Sequence, residues 1–322
     1  MTYRVVVSSA PVTRPTPVVP SHPRQGRAGV VVLCLAVAVA SVVGVWVLWK
    51  VFVTTTSGQV VELAALRGAE YGQTQLWRVA ERVLDVVSVG FIAAVILGAM
   101  AIAVIRRRWE LAVQVAVLMI GANVTTRVLK FYLFYRPDLG VAESYGNTLP
   151  SGHTTAAASV SVALLLVVPP RVRPWAAVAG AGYTTVTGVS TLIGQWHRPS
   201  DVVAGVLVVL AWGAVACAMV ALTPARAVTS TGALRQVAGG AAAGRRSLRV
   251  VVSSLLVGGA VAGVVAVWSL SHTWRDVDAV PSRADEVLAY AGGATGALAA
   301  ACVAFALLLV LRQAAASRVP ES

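Results

Sequence analysis

Eight apolar stretches, most of them about twenty residues long, run through this chain at 29–52, 86–105, 111–130, 154–168, 175–195, 202–222, 250–270 and 288–311. A bilayer core about 30 Å thick is crossed by roughly 20 apolar residues in a helix, whereas barrel strands need only about 9–11. In lipid every backbone polar group must be satisfied within the fold, which leaves helices for runs of this length. The expected fold class is therefore all-α, a polytopic membrane helical bundle of about eight transmembrane helices. Composition agrees: 57% of residues are hydrophobic and 12% charged, with mean hydropathy +0.78. Soluble domains carry about 25% charge.

Charge then sets orientation. The chain carries a net +13, but the positive charge follows the spans rather than forming a patch for nucleic acid, so no nucleic-acid partner is expected. With the N-terminus inside, 16 of the 26 Lys and Arg fall in cytoplasmic segments, beside only two acids, Glu110 and Glu321. Each loop obeys the positive-inside rule. The reading is a multi-pass protein of the plasma (cytoplasmic) membrane with both termini in the cytoplasm. Residues 1–27, with five prolines, four arginines and no acid, read as a disordered basic tail. They do not read as a cleaved signal peptide, because the run that follows lacks a small-residue cleavage pattern. Residues 28–222 form a six-span core and 223–249 a Gly/Ala-rich basic cytoplasmic linker, with a two-span hairpin and short tail at 250–322. The polar to amphipathic segment 54–84 suggests short interfacial helices. Cys34, Cys217 and Cys302 have no ligand-like spacing and read as packing residues.

The polar groups that do occur near span ends gather on the outer side. Pro150-Ser151-Gly152-His153 marks a loop turning into a helix. Ser151 is a good N-cap, Gly152 allows close approach to the backbone, and free amides at a helix start favour an anion. His197 has Asp201 four residues on, and a carboxylate on one imidazole nitrogen makes the other the better nucleophile or base. Either piece alone also suits an ordinary helix cap, but only four histidines occur and two stand in such settings on one face. Arg127, Lys130 and Arg136 lie within ten residues at the outer end of the third span, against the positive-inside trend. A specific anion such as phosphate explains them better than snorkelling alone. Trp196 and the aromatics Phe131, Tyr132, Phe134 and Tyr135 read as interfacial belt residues.

Taken together these residues resemble the type-2 phosphatidic acid phosphatase superfamily, whose fold is shared with vanadium haloperoxidases and bacterial acid phosphatases. The family pattern has three parts: Lys, six residues, Arg-Pro; Pro-Ser-Gly-His; and Ser-Arg, five residues, His, three residues, Asp. The second part is complete at 150–153. The third keeps Ser190, His197 and Asp201 at the family spacing, but Thr191 stands where the family has arginine. The first is present as Lys130 and Arg136-Pro137 with five intervening residues instead of six, which calls for a one-residue shift or bulge to bring the Lys130 amine to the site. The resemblance covers roughly residues 29–222.

The resemblance implies a metal-free phosphatase, with no cofactor, acting on a lipid phosphate or pyrophosphate at the outer face. His197 would form a phosphohistidine, with Asp201 orienting its ring and His153 as acid and then base. Lys130, Arg136, Ser151 and Gly152 would hold the phosphate, with Arg198 or Arg127 as auxiliaries for the missing arginine beside Ser190 and Thr191. Its partners would be the lipid substrate and the surrounding membrane lipids. Two rival readings stand beside it: a family member without catalysis that binds lipid phosphates or a partner protein, and a transporter or flippase. The second lacks the internal repeat and mid-span charge expected of it.

Overall fold

A computed structural model describes residues 23–86, 94, 97–98, 109–141, 146–223 and 231–316. Every regular element among them is a helix. In chain order these are α1 (Pro23–Leu48), α2 (Thr56–Val86), α3 (Trp109–Val128) and α4 (Gly152–Val167). They are followed by α5 (Arg173–Ile193), α6 (Pro199–Leu222), α7 (Thr231–Arg275) and α8 (Arg283–Ala316). Five-residue π-helical turns, Trp49–Val53 and Leu129–Leu133, extend α1 and α3.

Six helical stretches among the described residues are long and apolar enough to cross a membrane: Arg27–Val53, Trp109–Leu133, Arg173–Ile193, Pro199–Leu222, Arg245–Arg275 and Arg283–Ala316. The fold is a polytopic helical bundle, as composition requires. Helix α4, the expected fourth span, is apolar but has 16 residues, about 24 Å at 1.5 Å per residue. It is buried along nearly its whole length, so protein rather than lipid surrounds it. The expected second span, 86–105, falls almost wholly outside the described residues.

Three segments take a form that the sequence does not show. The tail assigned to 1–27 is helical from Pro23, a residue whose fixed φ and missing N–H suit a first helical position; residues 1–22 lie outside the described residues. Instead of short interfacial helices, 56–86 forms one helix of 31 residues. No proline interrupts it, and Val61, Ala65 and Ala69, then Ala80 and Leu84, return every four residues to a buried face. The linker is helix from Thr231 onward and runs without a break into the seventh span.

Helix α6 lies at the centre, against α1, α3, α4 and α8, while α8 also packs on α2, α5 and α7. The C-terminal hairpin is thus part of the bundle. Small residues permit this close approach: a Cβ on Gly180 of α5 would lie 2.5 Å from the Phe305 ring of α8. Leu118, Met119, Leu165, Leu166, Phe305, Leu308 and Leu309 fill the core. Large apolar side chains on α1 (Val32, Leu35, Val39, Val42) and α7 (Val257, Val261, Val264) are exposed instead, as lipid-facing surfaces are.

The end of α3, the start of α4, the end of α5 and the start of α6 meet at one end of the bundle. Helix α2 lies over that end: Gln195 donates to Leu66 O and to Glu70 Oε1, each at 3.1 Å. Trp77 meets Trp196 edge-on, with ring centroids 5.6 Å apart.

Candidate active site

The turn between α5 and α6 delivers His197. It is made possible by Gln195 at φ 58°, a left-handed conformation in which a non-glycine residue is uncommon. The side-chain bonds from Gln195 to α2 hold that turn. The Thr191 carbonyl accepts the Trp196 and His197 N–H groups at 3.1 and 3.4 Å, so the end of α5 feeds the turn directly.

Asp201, in the first turn of α6, is buried. Its Oδ2 accepts the Arg198 N–H at 2.9 Å and lies 3.1 Å from His197 Nδ1. With the proton on Nδ1 donated to this carboxylate, the lone pair of Nε2 is free. The ring is itself 5% exposed. Its centroid lies 6.3 Å from that of His153, which in turn lies 5.4 Å from that of Trp196. Trp196, read from sequence as a belt residue, therefore stands beside the two histidines.

Ser151 caps α4. Its Oγ accepts from the Thr154 N–H at 3.3 Å and the Thr154 hydroxyl at 3.0 Å, and its own N–H donates to Asp201 O at 2.8 Å. One residue thereby starts α4 and ties it to α6. Gly152 follows, exposed, with nothing within 4 Å of where a Cβ would stand. That open space above free amides is where a helix start accepts an anion.

The cations approach from two sides. Lys130 sits in the π turn Leu129–Leu133, closed by Phe134 N–H donating to Leu129 O at 2.8 Å. A π turn takes up one extra residue, whereas the spacing to Arg136 is one residue short, so the turn does not by itself account for that spacing. Lys130 interacts electrostatically with Asp201 and His153, and Asn147 fastens its carbonyl at 3.2 Å. Arg136 is nearly buried, with Nη1 4.0 Å from Glu62 Oε2; burial, then the neighbouring Arg198, lowers its guanidinium below the ordinary arginine value. The Arg198 side chain is also buried, donating from Nη1 to Thr148 Oγ1 at 3.0 Å.

Other candidates stay apart. Arg127 is exposed on α3. Thr191 is fully buried and its hydroxyl donates to Gly188 O at 2.7 Å within α5. Ser190 is buried on the same helix. Glu62 of α2 was not singled out from sequence, yet it lies against Arg136 and accepts the Ser200 N–H at 3.1 Å. Its signal was faint: one acid in the apolar run Val60-Val61-Glu62-Leu63-Ala64. Burial first, then Asp201, pushes its carboxyl up to about 7. Among the described residues no group of three or more His, Cys, Asp or Glu is placed to hold a metal ion.

An imidazole–carboxylate pair, a second imidazole, an open helix start and three cations thus gather at one end of the bundle. Residues 111–226 match the model of the PAP2 superfamily, so this segment, about a third of the chain, is similar to that superfamily. Its members are generally phosphatases of phosphate esters, often lipid phosphates. The match includes all three parts of the sequence pattern and leaves α1, α2, α7 and α8 outside. No curated protein and no solved structure matches the chain.

Proposed function

We propose that this protein is an integral-membrane phosphatase that hydrolyses a lipid phosphate or pyrophosphate through a phosphohistidine on His197. The observation that carries the reading is the buried His197–Asp201 pair at 3.1 Å with the His153 ring beside it. In the first half-reaction His197 Nε2 attacks phosphorus, the bond to the lipid oxygen breaks, and His153 gives that oxygen its proton. In the second, His153 takes a proton from water, the water oxygen attacks phosphorus, and the P–N bond returns its electron pair to Nε2. Asp201 holds the ring and offsets the positive charge of the phosphorylated imidazole. Lys130, Arg136, the Gly152 amide and the Ser151 hydroxyl stabilise the equatorial oxygens as charge shifts.

Arg198 takes the part of the arginine that Thr191 replaces. It is buried at the start of α6 next to His197, whereas Arg127 is exposed on α3. By the positive-inside argument the site faces outward from the cytoplasmic membrane. Phosphatidate, phosphatidylglycerol phosphate and polyprenyl pyrophosphate all present the required group; the outward face favours a polyprenyl carrier.

The test is phosphate release from a panel of these lipids by purified protein in EDTA, beside His197→Ala. Release that survives EDTA and disappears in the variant supports the reading. Silence of the wild type on every lipid would shift it to a noncatalytic lipid-phosphate binder, the alternative that the loss of arginine at 191 favours.

A further inference from the structure

Glu62 lies outside the family match and is used by no step above, yet it touches two parts of the site at once. Its Oε1 accepts the N–H of Ser200 at 3.1 Å, which follows Pro199 and is therefore the first free amide of α6. Its Oε2 faces Arg136 Nη1 at 4.0 Å and has no hydrogen-bond partner, although it is buried. Behind it lies a mainly apolar cavity of about 270 Å³, lined by residues of α1, α2, α6, α7 and α8. Among the described residues that line it, Glu62 alone is charged. The charged groups that face Glu62 are Arg136, Arg198 and Asp201, all of them members of the phosphate site.

A buried carboxylate oxygen without a hydrogen bond is costly, and here it points at the guanidinium that the substrate would claim. We propose that Glu62 is the internal counter-ion of the phosphate site, a positioning residue that holds Arg136 and the start of α6 in the empty site and yields Arg136 to the phosphate. This rests on the phosphatase reading of the site. With its carboxyl raised to about 7 by burial and Asp201, Glu62 changes charge near neutral pH. The sign follows from linkage. An anion arriving nearby favours the protonated carboxyl, so binding weakens as pH rises and Glu62 ionises. If bound phosphate raises the carboxyl's proton affinity tenfold, the contribution of Glu62 weakens binding roughly fivefold between pH 6 and pH 8.

The experiment measures the Kd of inorganic phosphate for wild type and Glu62→Gln, purified in detergent, at pH 6, 7 and 8. Gln keeps an acceptor for the Ser200 N–H and removes the charge. The titrations of phosphate itself and of the histidines are common to both proteins and cancel in the ratio. The expected result is a ratio of wild-type to variant Kd that grows about fivefold from pH 6 to pH 8. A merely structural role shifts the variant's Kd by the same factor at every pH, and a flat ratio overturns the inference while wild-type phosphate release keeps the phosphatase reading intact. A wild type that neither binds phosphate nor releases it from lipid overturns both. Glu62→Asp, which keeps the charge but draws it back from Arg136, is expected to give a ratio that rises less than twofold; it carries the test if the Gln variant does not fold.

Discussion

Replacing Asp201 by Asn probes the centre of the proposed chemistry with little change in shape. One oxygen, Oδ2, serves both His197 Nδ1 and the Arg198 N–H. An amide that places its oxygen there keeps both contacts and loses only the charge. When His197 carries phosphorus, its imidazolium sits 3.1 Å from that oxygen. At an effective dielectric of about 20, two unit charges at this distance attract by about 5 kcal/mol. The neutral hydrogen bond that Asn retains is worth about 1 kcal/mol. The difference, about 4 kcal/mol, corresponds to a rate loss of roughly a thousandfold at about 1.4 kcal/mol per decade. The assay is single-turnover release of phosphate from a lipid phosphate, with acid-stable and acid-labile phosphoprotein separated after quenching. The thermal midpoint in detergent serves as the folding control. A folded Asp201→Asn variant that loses less than tenfold would refute the argument and reduce Asp201 to a cap on α6.

The same geometry makes four further predictions. Arg198→Ala is expected to lower kcat/KM by about 10- to 150-fold, the worth of a charge-assisted contact of roughly 1.5–3 kcal/mol, with Arg127→Ala within twofold of wild type; equal effects would remove Arg198 from the phosphate site. Thr191→Arg, which restores the family residue, is expected to lower the thermal midpoint rather than raise activity, because position 191 is fully buried. Glu62 binds protons more tightly folded than unfolded between its ordinary 4.5 and about 7, so its contribution to stability falls as pH rises through that window, by no more than about 3 kcal/mol. Glu62→Gln should therefore gain on wild type from pH 5 to pH 8 in denaturant or thermal unfolding, and a constant difference would contradict the shift. Gly188→Ala would set a methyl 2.5 Å from Val202 Cγ1 at the start of α6; the expected cost is about 1–3 kcal/mol of overpacking, read as a lower thermal midpoint, and an unchanged midpoint would show that the contact relaxes freely.

Much of the architecture was legible in the chain because lipid imposes a simple rule on it. Runs such as 202–222 and 288–311 must be helical wherever they lie, and α6 and α8 contain them. The Ser-Gly step at 151–152 starts a helix for local reasons, and α4 begins there with Ser151 as its cap. Local rules served less well where the apolar signal was diluted. The buried face of α2 is made of Val, Ala and Leu mixed with charge, so its continuity rests on the bundle end it covers. The linker before the seventh span carries many glycines and alanines, and its helical form from Thr231 is not visible as periodicity.

Sequence by itself determined the membrane helices, the family motifs and the pairing of His197 with Asp201, because these depend on apolar length and on spacings of a few residues. Tertiary structure alone decided which distant groups meet. It put Trp196 beside His153, placed Lys130 within electrostatic reach of Asp201, and buried Arg198 next to His197 while leaving Arg127 exposed. It also set Glu62 against Arg136 across a separation of more than seventy residues. Such contacts depend on how whole helices pack, and a buried charge becomes recognisable as part of a site only when the opposite charge that balances it has been brought within reach.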